Sequence, residues 1–290
     1  MLDAAIIGYG PAGISAALYL RRANKTVVLI GKDTGSLQKA EKIENYFGLP
    51  QPITGSELAA IGLEQAKALG AEIINDEVLD LSWDGAFTIT CKDSRHQAAS
   101  VILATGSARK TLPIAGLSAH EGRGVSYCAV CDAFFYRGKT VGVLGSGSYA
   151  LHEVNGLLPV AEKVLLLTNG GVVPDGLPEN VVAITEPVAE IFGDPAVEGV
   201  RLKSGETQAL DGIFVALGSA TAGDFARKIG AELKEGRIVT DSEMQTAVPG
   251  LFAAGDCIGG LMQVATAVSE GAQAAMSALK FLRERPGSGL

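Results

Sequence analysis

The run Ala4-Ala5-Ile6-Ile7-Gly8-Tyr9-Gly10-Pro11-Ala12-Gly13 decides how this chain folds. Four apolar residues in succession read as a strand buried on both faces, as in a parallel sheet. The three glycines that follow have separate tasks: Gly8 bends the chain, Gly10 lets a pyrophosphate approach the backbone, and Gly13 lets helix pack on strand. A helix over Ile14–Arg22 then aims its positive end at the phosphates. Val27-Val28-Leu29-Ile30 gives a second strand, whose tip carries Gly31 and Lys32 where an acid would hold an adenosine ribose. Two more apolar runs end in the same kind of tight turn, Val101-Ile102-Leu103-Ala104-Thr105-Gly106 and Leu251-Phe252-Ala253-Ala254-Gly255-Asp256. Asp256, between a strand and a helix starting near Gln263, can accept hydrogen bonds from a ribityl or ribose hydroxyl; a cap or turn role is the alternative.

Further along, Gly145-Ser146-Gly147 opens a second glycine-rich loop, and between the two loops lies Cys128-Ala129-Val130-Cys131-Asp132. Two thiols separated by two residues can close a disulfide and reopen it, storing two electrons and passing them on by thiol–disulfide exchange. Asp132 is placed either to move a proton at that pair or to cap the start of a helix. A zinc site would need two more ligands, and Cys91, Cys257, His96, His120 and His152 offer no such spacing, so no metal is expected. Cys91, in the strand-like Phe87–Cys91 after an Asp84-Gly85 turn, and Cys257 are expected to be buried small residues.

At 290 residues the chain is long enough for two domains, and its 47% apolar content with 37 glycines suits two doubly wound α/β units. The first strand begins by residue 4, which leaves no place for a signal peptide, and no unbroken apolar run approaches the ~18 residues of a membrane span. Four cysteines, only two of them paired by spacing, point to a reducing cytoplasm and a catalytic use. No nucleic-acid or membrane partner is expected. Thr54 and Glu57 form a capping box for a helix near Ser56–Leu69, and an amphipathic helix is expected over Ala272–Leu282.

In order along the chain, GYGPAG (8–13), IENYFG (43–48), ATG (104–106), GRGVSYCAVCDAFFYRGK (122–139), GSGSYA (145–150) and PGLFAAGD (249–256) resemble the low-molecular-weight thioredoxin reductases over essentially the whole chain. The resemblance implies two Rossmann-like three-layer domains, the second inserted in the first. Residues 1–108 with 239–290 would bind FAD, and 109–238 would carry the dithiol. It further implies that Cys131 faces the flavin and contacts it through its thiolate, that Cys128 attacks the disulfide of thioredoxin, and that Asp132 protonates the departing thiolate. For FAD it implies Gly8, Gly10, Pro11, Ala12 and Gly13 at the pyrophosphate, Gly31 and Lys32 near the adenosine, and Asn45 near the flavin. Ala104 and Gly106 would lie close to the cofactor, and Asp256 and Gln263 would hold ribityl and ring edges. A homodimer is implied as well. Met262 and Ser36 stand where the family often has arginine and glutamine.

One departure bears on the electron donor. NADPH-using members end the strand after the second loop in a cluster of histidine and arginines that grips the 2'-phosphate. Here Lys163-Val164-Leu165-Leu166-Leu167 runs into Thr168-Asn169-Gly170-Gly171. Residues 141–200 hold one basic residue against eight acidic ones, a net charge of −7 that repels a polyanionic coenzyme. No acid stands at the strand tip for NADH either. A reduced ferredoxin is therefore the expected donor, because flavin accepts electrons singly while a dithiol needs two. The chain most resembles the ferredoxin-linked, pyridine-nucleotide-independent members. Two basic segments could meet an acidic ferredoxin, residues 20–45 and 107–140, each with net charge +3. Three alternatives stay open: an NADPH enzyme with an atypical site, a flavin dithiol oxidase using oxygen, and a flavin-binding redox sensor without turnover.

Overall fold

The computed structural model describes residues 1–106 and 113–285. The chain divides into two compact units, Met1–Arg109 with Thr221–Leu290, and Lys110–Ala220. The chain returns to the first unit at 221, ahead of the expected 239.

The first unit begins with β1 (Leu2–Ile7), α1 (Pro11–Arg22), β2 (Val27–Gly31), α2 (Gly55–Ala68), β3 (Glu72–Asn75), β4 (Val78–Trp83), β5 (Phe87–Cys91) and β6 (Arg95–Leu103). The second unit holds β7 (Val125–Ser126), α3 (Ala129–Asp132), β8 (Thr140–Leu144), α4 (Ser148–Leu157), β9 (Lys163–Leu167), β10 (Val182–Ile184), β11 (Val188–Phe192), β12 (Gly199–Leu202), β13 (Thr207–Ala209) and β14 (Gly212–Val215). The first unit resumes with α5 (Ala222–Lys228), β15 (Leu233–Lys234), β16 (Arg237–Ile238), β17 (Leu251–Ala253) and α6 (Val264–Glu284).

Its sheet runs β3-β2-β1-β6-β5-β4, with β17 pairing β6. The strands β3, β2, β1, β6 and β17 are parallel, and β5 and β4 return antiparallel. The register Ile7↔Ile30 and Ile7↔Leu103 brings the loops after β1, β2 and β6 to one edge, the carboxyl end where nucleotides bind in such sheets. Residues 4–7 are all buried, as an unbroken apolar run flanked by helices requires. Helix α6 lies against α1 through its small residues: a Cβ on Gly271 would fall 2.0 Å from the carbonyl oxygen of Ala12.

Thr54 and Glu57 cap α2 reciprocally, as the sequence predicts. Two contacts distant in sequence account for the early return at 221. The Thr105 hydroxyl accepts from the N–H of Ala222 at 2.9 Å, and Lys228, its side chain only 2% exposed, pairs with Asp80 of β4 at 3.1 Å. The second unit is a parallel sheet, β10-β9-β8-β14-β7, with the antiparallel ribbon β11-β12-β13 sharing its apolar core.

Candidate active site and cofactor cradle

In the first unit the glycine turn is built as its spacing demands. Gly8 has φ +103, and a Cβ there would lie 2.3 Å from the carbonyl oxygen of Ala104, so the turn after β1 rests directly on the turn after β6. Gly13 faces the same constraint, 1.9 Å from the carbonyl oxygen of Gly8. Gly10, by contrast, faces open space at its missing side chain. It is the N-cap of α1, Pro11 stands at the start of the helix, and no side chain caps its first N–H groups. No acid lies in that first turn. Twelve residues of helix therefore present bare donors and a positive end, with Ala12 and Gly13 in the first turn, as a pyrophosphate requires.

At the tip of β2 the expected acid is indeed absent, and its surroundings are occupied by Tyr9. A Cβ on Gly31 would lie 2.4 Å from the Tyr9 ring, which is 7% exposed and sits in the core. The Tyr9 hydroxyl stands 3.3 Å from the side-chain amide of Asn75 at the end of β3. Lys32, next in line, pairs with Glu77 at 3.2 Å. Asn45 donates its amide N–H to the side-chain oxygen of Gln263 at 2.9 Å, which joins the loop after residue 43 to the start of α6. Ala104 is buried, Gly106 has φ +78, and Asp256 follows β17 on the same edge of the sheet. Ten of the expected cofactor contacts thus lie on or beside one sheet edge; Asn45 and Gln263 form a bonded pair of their own. Met262, where the family often has arginine, is half-exposed and apolar.

In the second unit Cys128 and Cys131 are joined as a disulfide. Cys128 is the N-cap of α3 and fully buried, whereas Cys131 is exposed. The Cys131 N–H points at the Cys128 Sγ, 3.1 Å away. Asp132 ends this short helix, and Ser126 donates its hydroxyl to the Asp132 carboxylate at 2.7 Å while accepting the N–H of Cys128 at 3.1 Å. One hydroxyl thus ties the carboxylate to the cysteine backbone, its shorter donor contact being to Asp132 and its longer one, 3.4 Å, to the Cys128 carbonyl. Burial first, then the charges of Asp132 and Asp211, push the Tyr136 phenol up, so it stays neutral beside them. Phe134 and Phe135, immediately after the helix, are 71% and 68% exposed, and Arg137 lies over the Phe134 ring.

The chain matches the Pyridine nucleotide-disulphide oxidoreductase family over residues 2–271. It is 36% identical over 300 residues to the thioredoxin reductase of Aquifex aeolicus, covering 97% of this chain and 93% of that one. The chain belongs to the thioredoxin reductase family. Among solved structures, the atypical thioredoxin reductase TRi from Desulfovibrio vulgaris Hildenborough is 38% identical with a TM-score of 0.93, covering 99% of this chain and 100% of that one. A ferredoxin-flavin thioredoxin reductase from Clostridium acetobutylicum is 35% identical with a TM-score of 0.75, covering 98% and 99%.

As a thioredoxin reductase the chain is a flavin disulfide oxidoreductase with FAD as its cofactor. The open face at Gly10 and the uncapped start of α1 fit that group. Two further polar residues shape the reductase's site without standing among its sequence candidates. Ser126 is one; its only signal is a hydroxyl two residues before a redox cysteine. The other is Glu270 of α6, which accepts the N–H of Gly255 at 2.8 Å and so fixes the turn that presents Asp256. The remaining cysteines are buried and reduced, as expected: burial pushes the Cys91 thiol up to about 11 and the Cys257 thiol up to about 12.

Proposed function

We propose that the reductase takes electrons from a reduced ferredoxin rather than from a pyridine nucleotide, and delivers them to thioredoxin through Cys128 and Cys131. The observation that carries this reading is the tip of β9. Lys163, the one basic residue in 141–200, stands at the opposite end of that strand, exposed at its start. At the tip, the Thr168 hydroxyl is spent on the carbonyl of Gly171 at 2.8 Å, and the Asn169 side-chain oxygen accepts the N–H of Val188 at 2.8 Å. Residues 163–171 hold no histidine or arginine to grip a 2'-phosphate. The likeness to a structure described as a ferredoxin-flavin thioredoxin reductase agrees with it. The NADPH reading draws on one observation, the persistence of the Gly145–Gly147 turn and an α4 with no acid in its first turn.

The unit of Met1–Arg109 and Thr221–Leu290 would bind FAD, and the other would carry the dithiol. Gly8, Gly10, Pro11, Ala12 and Gly13 would hold the pyrophosphate and Ala104 and Gly106 would lie beside it. Gly31 and Lys32 would lie near the adenosine, and Asn45, Asp256 and Gln263 at the flavin end. When bound, FAD supplies a two-electron store that can be filled one electron at a time. Cys131 would face it. Two electrons and two protons open the Cys128–Cys131 disulfide; the Cys128 thiolate then attacks thioredoxin's disulfide, and Asp132, oriented by Ser126, gives a proton to the departing sulfur. The Cys131 sulfur then attacks the Cys128 sulfur of the mixed disulfide and expels thioredoxin's remaining thiolate, which takes the second proton; the Cys128–Cys131 disulfide is restored and thioredoxin leaves as a dithiol. Exposed Phe134 and Phe135 give thioredoxin an apolar seat beside the dithiol. The protein would work as a cytoplasmic homodimer.

Both basic segments were candidates for the ferredoxin face. In residues 20–45, Lys25, Lys32 and Lys42 pair with Asp3, Glu77 and Glu44. Such surface pairs are worth at most about 1 kcal/mol, so an acidic partner can compete for the lysines. In residues 107–140, Arg123, Arg137 and Lys139 are exposed, while Arg109 and Lys110 lie outside the described residues. The test is thioredoxin reduction driven by reduced ferredoxin under anaerobic conditions at increasing salt. We expect turnover that falls severalfold between about 50 and 300 mM salt, as steering within a Debye length predicts. Absence of ferredoxin-driven turnover would overturn the proposal.

A further inference from the structure

Glu153 is charged by type, 2% exposed, and lies on α4, far in sequence from the redox pair. Its carboxyl oxygen accepts the N–H of Ala129 at 2.7 Å. Ala129 is the first residue of α3 and sits between the two cysteines. A four-residue helix has little stability of its own, and its first N–H groups have no partner within the helix. Here the Cys131 N–H is taken by the Cys128 sulfur and the Ala129 N–H by Glu153. Behind this bond α4 backs directly on the turn, since a Cβ on Gly156 would lie 3.6 Å from the Ala129 Cβ. An apolar residue of the same volume would fill the site without the cost of burying a carboxyl group. What the carboxyl group gives the dithiol turn is this bond.

We propose that Glu153 is a positioning residue for the dithiol: by holding the Ala129 N–H it keeps the turn closed, so that in the reduced state the Cys128 and Cys131 thiols stay within reach of each other. The couple is disulfide plus two electrons and two protons giving two thiols, and its potential depends on the effective concentration of one thiol at the other. A turn that frays lowers that concentration, weakens the disulfide and moves the potential upward. A tenfold loss corresponds to ~30 mV for this two-electron couple. The inference rests on Cys128 and Cys131 being the exchanging pair and is independent of the electron donor.

The test is the midpoint potential of the pair in the FAD-loaded protein, set by graded dithiothreitol redox buffers and read by trapping free thiols, in Glu153→Gln and Glu153→Met. Glutamine retains an acceptor oxygen; methionine fills the space without one. We expect E153Q to stay within about twofold of the parent equilibrium constant and E153M to shift it about tenfold toward the dithiol, with slower resolution of the thioredoxin mixed disulfide. Should E153M not fold, as far-UV circular dichroism would report, Glu153→Asp shortens the reach and takes its place with the same expected direction. An unchanged potential in the variant lacking the bond would overturn the inference, whatever its melting temperature, and so would a shift in E153Q as large as in E153M. A pair that does not titrate in the parent protein would instead overturn the proposed function.

Discussion

At the scale of single residues, four cysteines sort into two kinds by environment alone. Cys91 and Cys257 are buried, with thiols pushed up to about 11 and about 12, and a thiolate is the reactive form. We therefore expect the oxidised native protein to give no reaction with a chromogenic disulfide reagent at pH 8 and two thiols per chain once unfolded; any native thiol would contradict the assignment. Glu270 gives a second prediction. Burial raises its pKa above the ordinary 4.5, only partly offset by the N–H of Gly255. Its folded-state pKa lies above its unfolded value, so its favourable contribution is complete below about 4.5 and is lost as pH rises through the folded value. Glu270→Gln, which keeps an acceptor for Gly255, should gain stability over the parent progressively from pH 4.5 to 7 in urea unfolding. A difference independent of pH would refute this. The dithiol and the glycine turn are legible in sequence because their chemistry demands particular residues at fixed spacing. Ser126, Glu153 and Glu270 are not, since their roles come from contacts set by the folded geometry: Ser126 with the Asp132 carboxylate and the Cys128 N–H, Glu153 with the Ala129 N–H, and Glu270 with the Gly255 N–H.

At the scale of elements, local rules succeed where local physics decides. The α2 capping box and the buried strands at 4–7 and 27–30 need only neighbours in sequence. The helix start expected near Gln263 and the amphipathic helix expected over Ala272–Leu282 belong to one element, α6, which runs unbroken from Val264 to Glu284. Gly271 within it is the point where α6 meets the Ala12 carbonyl. Helix α5 is the other departure, because a long-range ion pair decides where it belongs. Lys228 is almost wholly buried against Asp80, so Asp80→Asn removes a carboxylate from beside a buried ammonium group. We expect that change to cost on the order of 1–3 kcal/mol in unfolding free energy, and no measurable loss would show that the pair does not anchor α5.

At the scale of the whole molecule, one nucleotide-binding design occurs twice with different outcomes. The first unit keeps an open glycine and an uncapped helix start, which suit a pyrophosphate. The second keeps its glycine turn, but at the tip of β9 Thr168 and Asn169 bond to the protein itself in a strongly acidic segment. Sequence reveals this contrast through charge; the structure adds that the Thr168 hydroxyl is turned onto the Gly171 carbonyl. The most direct measurement is an anaerobic titration of the bound flavin, followed at its visible absorbance, with NADPH, NADH and reduced ferredoxin in turn. The account predicts bleaching by reduced ferredoxin alone, reversed by oxidised thioredoxin. Stoichiometric bleaching by NADPH would contradict it.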